Sequence, residues 1–445
     1  MHIGEFCLKK AAKKAIGIKM STQNSTCLFI EGGHKLSGEI KISGAKNAAL
    51  PALAATILAP GEFLFKNMPW LLDVSTMLEL LCRLGAHYDS LDDTLSVDTS
   101  VLEHYEASYE LVTRMRASIL VLGPLLARKG KARVALPGGC DIGKRPVNFH
   151  LKGLAALGAK YSLEKGYINV KAPRRLRGAE IIFDFPSVTA TENIMMAAVL
   201  ARGKTIIGNA AREPEVVFLG EMLNLMGAKI KGLGTENIVI EGVKELSPVE
   251  ITIIPDRIEA GTYLMAPGLA GGELILTHVN PHHLSTVIAK LREIGLEIEE
   301  DGDKLRSRRK RSLKPTTVRT APYPGFPTDL QAQIMALLSK ASGTSVIVET
   351  VFENRFKHAE ELRRMGADIV LEGQVAVVRG VKKLQAAPVK ATDLRASASL
   401  VLAGLGADGV TEIAQINHLK RGYEALTEKL SKVGAKIWEA PCQAT

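Results

Sequence analysis

The sequence predicts an α/β protein assembled from repeated units of about 70 residues, and three observations carry that prediction. An apolar-Gly-Ala-x-apolar pattern, or a close variant, recurs at Gly85, Gly158, Gly227, Gly295, Gly366 and Gly434, with spacings of 73, 69, 68, 71 and 68. In each copy the glycine follows an amphipathic helical pattern at the point where a helix C-cap takes a left-handed residue. An alternating strand comes next, as in Ala228-Lys229-Ile230 or Ala435-Lys436-Ile437-Trp438. Each unit therefore reads as strand, helix, strand, helix, strand. At 445 residues the chain is long enough for two or three domains.

In chain order, residues 1–20 come first: lysines scattered among small apolar residues, without the apolar core or cleavage site of a secretory signal. Met20 precedes a polar stretch, so the leader is expected to be poorly ordered. The repeats begin near Leu28. The first helix of each unit follows a strand and opens on a polar segment: Ser43 to Asn47, Thr113 to Arg116, Ser187 to Glu192, Asp256 to Glu259, Thr328 to Gln331 and Thr392 to Arg395. Ser, Thr and Asp are helix N-caps, and capping alone accounts for them. It does not account for Lys46, Arg116 and Arg395, which are cations where the macrodipole is already positive. A bound phosphate or carboxylate resolves that conflict. Arg421, Arg355 and Glu213 recur at loop-to-helix junctions of other second helices, where a surface ion pair is the plain alternative.

Charge and cysteines narrow the class. The net charge of +10 resides in two runs, +4 in residues 1–20 and +7 in Lys304 to Lys314, leaving −1 elsewhere. Such runs are ordinarily solvated tails or hairpin tips, so no nucleic-acid partner is expected. Five scattered cysteines without a C-x-x-C pair argue against a disulfide framework or a metal site and for a reducing compartment. Apolar runs fall short of the roughly 20 residues that span a bilayer.

One cysteine stands apart. Pro137-Gly138-Gly139-Cys140-Asp141-Ile142-Gly143-Lys144-Arg145-Pro146 places a thiol between glycines and two cations. A thiol with an ordinary pKa of about 8.5 is mostly protonated at neutral pH, so it donates a proton as readily as it attacks. A glycine-rich turn with an incidental cysteine is the alternative.

Five segments together are specific: Ile42 to Pro51, the Pro137 to Val147 loop, Pro327 to Gln333, Glu349-Thr350-Val351-Phe352-Glu353-Asn354-Arg355 and Ala391 to Ser397. They closely resemble the UDP-N-acetylglucosamine enolpyruvyl transferases, and the resemblance runs from about residue 28 to 440. It implies an inside-out α/β barrel of two domains, three repeats each, with the active site in the cleft between them. Residues 21–45 with 255–445 would form the C-terminal domain and 46–254 the N-terminal domain carrying the cysteine loop. The chain would cross near Ala45 and again near Pro255.

The implied reaction is transfer of enolpyruvyl from phosphoenolpyruvate to the 3-hydroxyl of UDP-N-acetylglucosamine with release of phosphate, the first committed step of bacterial peptidoglycan synthesis in the cytoplasm. No cofactor, metal or membrane is implied. By the same resemblance Cys140 is the acid and Asp329 the base or orienter of the sugar hydroxyl. Lys46, Asn47, Arg145, Arg395 and Arg421 would hold phosphoenolpyruvate, with Lys46 and Arg421 catalytic. Arg116, Arg145, Pro146, Val147, Asn148, Phe149, Phe185, Pro186, Ser187, Val188, Asp329 and Val351 would line the nucleotide-sugar site. Glu213, Asp256, Glu353, Arg355 and Asp393 would support them. Asn148, Phe185 and Thr189 depart from one common form of the pattern, all on the nucleotide side. The alternatives are a 5-enolpyruvylshikimate-3-phosphate synthase, which shares fold and co-substrate, and a non-enzymatic repeat scaffold with an acidic partner.

Overall fold

The structure, a computed structural model, describes residues 26–136 and 147–442. The leader expected to be disordered lies outside that range. The described residues divide into two compact units, one of residues 44–136 and 147–254, the other of residues 26–43 and 255–442.

Each unit holds three four-stranded sheets. All six sheets share one plan, in which a parallel edge strand is followed by three strands paired antiparallel. Glu180–Ile182, for example, runs parallel to Lys204–Gly208, which pairs antiparallel with Asn237–Glu241 and through it with Lys229–Lys231. The predicted unit lacked one element, because the strand after the glycine turns back as a hairpin at five of the six positions, while after Gly434 the strand Lys436–Pro441 pairs with Thr26–Glu31 instead. Four of these turns have two-residue loops, as the registers Leu91↔Thr94, Glu164↔Tyr167, Asp301↔Lys304 and Glu372↔Val375 require. Asp92, Lys165, Gly302 and Gly373 supply the positive φ such tight turns need. All six repeat glycines have φ between 84° and 112°, the left-handed conformation predicted for them.

The second unit is centred on Arg257–Ala270, Gln331–Leu338 and Leu394–Leu405, helices that pack on one another and are buried on nearly every residue. Glycines permit that approach: a Cβ on Gly261 would stand 2.4 Å from Leu330 Cδ1, and one on Gly268 equally close to Leu337 Cδ1. Lys46–Ala55, Leu122–Lys129 and Val188–Ala198 are the corresponding apolar helices of the first unit. Strands with alternating burial, such as Phe63 and Phe65 inward between exposed or half-buried neighbours, cover them. With apolar helices inside and sheets outside, each unit is the inside-out α/β barrel expected.

Two edge strands are exchanged. Leu36–Lys41 precedes the helix Lys46–Ala55 in sequence but pairs in parallel with Gly272–Thr277 of the second unit. Glu250–Thr252 precedes Arg257–Ala270 but pairs with Glu62–Lys66 of the first. The two connecting segments run side by side, joined by Ala45 N–H to Ile254 C=O (2.7 Å) and Asp256 N–H to Ser43 C=O (2.9 Å).

Two expectations are corrected. Cys27 and Cys442 form a disulfide, although the cysteine spacing argued against one. Strand Thr26–Glu31 lies between Val410–Ala414 and Lys436–Pro441, so sheet pairing sets the two Cα atoms 4.8 Å apart across 415 residues of sequence. The basic run is not a solvated tip either. Its first part is the strand Lys304–Arg309, facing the acidic strand Leu296–Asp301. Arg308 makes a bidentate pair with Glu297 (2.7 and 3.0 Å) and also reaches Glu299 and Glu273. The hydrogen bonds from Arg308, then Lys310, hold the Glu297 carboxyl down to about 2. Among the described residues no helix is long and apolar enough to cross a membrane.

Candidate active site

In the second unit Asp329 draws two buried arginines together. It sits on the 3₁₀ turn Thr328–Leu330 that leads into Gln331–Leu338. Arg355 Nη2 donates to its Oδ1 and Arg395 Nη2 to its Oδ2, both at 2.8 Å. The two arginine side chains are 4% exposed and the carboxylate 27%, so a rigid cationic clamp holds an anion that still meets solvent. Burial alone would push the Arg395 guanidinium down, but Asp329 beside it, then Tyr423 and Asp256, leave it above its usual range. It is a permanent cation.

The helix starts in this region are fixed by their caps. Asp393 caps Leu394–Leu405 by accepting from Arg395 N–H (2.8 Å) and Ala396 N–H (3.1 Å). Asp256 does the same for Arg257–Ala270 through Ile258 and Glu259 N–H. These two are caps, as their residue type suggested, and they aim the helix starts. Val351 is set by Glu349, whose Oε1 accepts from Val351 N–H and Phe352 N–H and from Thr320 Oγ1, while Oε2 accepts from Thr328 Oγ1. Glu349 thus ties the Asp329 turn to the Val351 turn. The sequence reading passed over it in favour of Glu353, which is exposed. The missed signal was an acid ending a strand of buried alternation, Thr344–Val348. Arg421 closes the 3₁₀ turn Ile416–Arg421 and is half-buried.

Glu259, also missed, is 2% exposed. It accepts from Ser43 N–H at 2.8 Å and from Lys429 Nζ at 2.6 Å. Burial raises its carboxyl to about 7 against the pull of Lys429.

In the first unit Lys46 is the first residue of Lys46–Ala55, a helix with no acid in its first turn. The conflict with the macrodipole inferred from sequence is therefore present. Its Nζ lies 3.5 Å from Asp73 Oδ2, with both side chains buried, and Asn47 beside it is half-buried. Arg116 opens the 3₁₀ turn Arg116–Val121. Nearby His150 is buried and held neutral, its pKa lowered to about 3 by burial and then by Arg116. Its ring nitrogens meet Asn193 Nδ2 (3.0 Å) and Thr189 Oγ1 (3.3 Å), so the departure at Thr189 has a bonding partner. Asn193 also accepts from Gly123 N–H and donates to Ile119 C=O, tying three segments together.

The predicted nucleotide-side residues Val147, Asn148 and Phe149 open the helix Asn148–Ala156, and Phe149 packs tilted on Phe183 with centroids 5.8 Å apart. Phe185 is 40% exposed, and Pro186, Ser187 and Val188 lead into Val188–Ala198. Glu213 stands at the start of Pro214–Leu225. Buried Glu192 keeps its proton well above the usual carboxylate range because of burial, then Glu215 and Glu213. Cys140, Arg145 and Pro146 lie outside the described residues.

The sequence profile of EPSP synthase (3-phosphoshikimate 1-carboxyvinyltransferase) matches residues 30–430. The UDP-N-acetylglucosamine 1-carboxyvinyltransferase of Desulfosudis oleivorans is 55% identical over 410 residues, 92% of this chain and 98% of its own. The enzyme of the same name from Thermodesulfovibrio yellowstonii is 56% identical over 411 residues, with the same coverage. This chain belongs to the UDP-N-acetylglucosamine 1-carboxyvinyltransferase family. Among solved structures, the enolpyruvyl transferase NikO from Streptomyces tendae superposes with a TM-score of 0.85 at 28% identity, covering 94% of this chain and all of that one. An EPSP synthase from Acinetobacter baumannii gives 0.72 at 18% identity and shares the fold. Family membership agrees with the five quoted segments, four of which supply Lys46, Asp329, Arg355 and Arg395.

Proposed function

We infer that this chain is a UDP-N-acetylglucosamine 1-carboxyvinyltransferase: it transfers enolpyruvyl from phosphoenolpyruvate to the 3-hydroxyl of UDP-N-acetylglucosamine and releases phosphate, the committing step of peptidoglycan synthesis. The observation that carries this is the identity of 53–56% to enzymes of that name over 98% of their length, where EPSP synthase structures share 18%.

The reaction asks for an acid, a base and a cage for two anions. The sugar hydroxyl gives its proton to the base as its oxygen bonds to C2 of the enol ester, while the acid delivers a proton to C3. That proton's place at C3 is later vacated and the C2–O bond to phosphate breaks, so the atoms balance with no outside oxidant or reductant. In our reading Cys140 delivers the proton and Asp329, held by two guanidinia, orients the attacking hydroxyl. Lys46, Asn47, Arg145, Arg395 and Arg421 hold phosphoenolpyruvate. Arg116, Val147 to Phe149, Phe185 to Val188 and Val351 receive the nucleotide sugar. The helix-terminal placement of Lys46, Arg116 and Arg395 supports anion binding at each. Holding both substrates in register is worth up to roughly 7–11 kcal/mol of barrier. We place the reaction in the cytoplasm.

Phosphate release from phosphoenolpyruvate tests the reading. Turnover with UDP-N-acetylglucosamine and none with shikimate-3-phosphate is expected. Turnover with shikimate-3-phosphate alone would transfer the chain to the other activity, and release with neither acceptor required would remove both.

A further inference from the structure

Behind the Asp329 clamp lies a buried polar knot that family membership does not explain. Tyr423 is 3% exposed, and its Oη stands 2.9 Å from Thr262 Oγ1, 3.1 Å from Gln333 Nε2 and 3.4 Å from Arg395 Nη1. Its three partners come from the three central helices. Thr262 Oγ1 already donates its hydrogen to Ile258 C=O at 2.8 Å, so the Tyr423 hydroxyl is the donor to Thr262. Its two lone pairs then accept from Gln333 and Arg395, and every valence of the oxygen is used. Gln333 Nε2 also donates to the Asp329 carbonyl at 3.0 Å. Tyr423 is therefore one residue removed from Asp329 on two sides, through Gln333 to its backbone and through Arg395 to its carboxylate.

We propose that Tyr423 is a positioning residue, its hydroxyl setting the Arg395 guanidinium against Asp329 so that Arg395 is aimed for phosphoenolpyruvate. A phenylalanine would fill the same volume, and a buried hydroxyl costs free energy unless its bonds are made, so packing alone does not call for a tyrosine. Water does not take over the bonds, since Thr262, Gln333 and Arg395 are all at most 4% exposed. The same residue seats the chain that carries Arg421. Gly422, between the two, lies so close to Leu394 that a Cβ there would stand 2.7 Å from its Cδ2.

The kinetic part of the proposal rests on the function inferred above. Tyr423→Phe in the full chain is expected to raise KM for phosphoenolpyruvate about tenfold. KM for UDP-N-acetylglucosamine should stay within twofold and the thermal midpoint within a few degrees. A merely structural role predicts the opposite split, a lower midpoint and a smaller active fraction with both KM values unchanged, and that result overturns the proposal. Crystal structures of parent and variant supply the second measurement: Arg395 should leave Asp329 Oδ2, now 2.8 Å away. An unmoved Arg395 overturns the proposal whatever the kinetics. Should the parent release no phosphate with UDP-N-acetylglucosamine, the functional assignment falls while the crystallographic comparison still decides the role of Tyr423.

Discussion

Replacing Asp329 by alanine removes the carboxylate shared by Arg355 and Arg395 and leaves two buried guanidinia facing one another. With a nitrogen of each 2.8 Å from one carboxylate, the two cation centres lie roughly 7 Å apart, and at an effective dielectric of about 20 their repulsion is about 2–3 kcal/mol. Two charge-assisted hydrogen bonds are lost as well, offset by water entering the partly exposed site. Removing one partner of a buried pair costs about 3–5 kcal/mol, and the 27% exposure of Asp329 argues for the lower end. Taking about 3 kcal/mol, and about 2–4 °C per kcal/mol for units of this size, the thermal midpoint should fall by about 6–12 °C. An anion placed between the guanidinia restores the lost attraction. Added sulfate should therefore raise the midpoint of Asp329→Ala more than that of the parent, measured by calorimetry at constant ionic strength. Phosphate release should drop about 10²–10⁴-fold. A midpoint within 2 °C of the parent, or equal sulfate effects in both, would refute the clamp argument.

Three further outcomes are expected. Lys46→Ala should stay folded and lose phosphoenolpyruvate-dependent turnover; near-normal kcat/KM would remove Lys46 from the substrate cage. The folded chain holds a proton on Glu259 that the unfolded chain releases between pH 4.5 and about 7. Its contribution to stability is thus complete below pH 4.5 and is lost as pH rises to 7, by up to about 3 kcal/mol at 1.36 kcal/mol per pH unit. Glu259→Gln should flatten that part of the urea-unfolding profile, and an unaltered slope would show that the carboxyl titrates normally. Cys140→Ser should be nearly inactive because a hydroxyl is a far weaker acid, whereas Cys140→Asp should retain activity with its basic limit moved to lower pH. Full activity in the serine variant would eliminate the acid role.

What was legible in the sequence was local. A helix ending on glycine before an alternating strand leaves a mark every 70 residues or so, and all six marked glycines have left-handed backbone. The same locality let the N-caps Asp256 and Asp393 be recognised. Pairing between distant residues leaves no such mark. The return strand of four hairpins was missed because a two-residue turn is too short to interrupt the pattern. Exchange of Leu36–Lys41 and Glu250–Thr252 between units depends on hydrogen bonds over more than 180 residues of chain. The basic run looked solvated because its acids, Glu273, Glu297 and Glu299, belong to neighbouring strands. Lys46 and Arg395 stood out because a cation at a helix start is visible in sequence, and Asp329 because its segment resembles the family's, whereas Glu349, Glu259, Gln333 and Tyr423 acquire their meaning only from side chains brought to them by the fold.

The position of strand Thr26–Glu31 between two strands near the chain's other end has a consequence for synthesis. The first unit is complete once Glu250–Thr252 has emerged to pair with Glu62–Lys66. Thr26–Glu31, with its apolar Leu28, Phe29 and Ile30, must wait about 400 residues more for Lys436–Pro441. At roughly 5–20 residues per second that is about 20–80 s in which a strand with both edges open trails from the ribosome. Chaperone demand should concentrate in that interval. A nascent chain stopped short of Lys436 leaves its first strand half paired, so a late truncation exposes the beginning of the protein rather than its end.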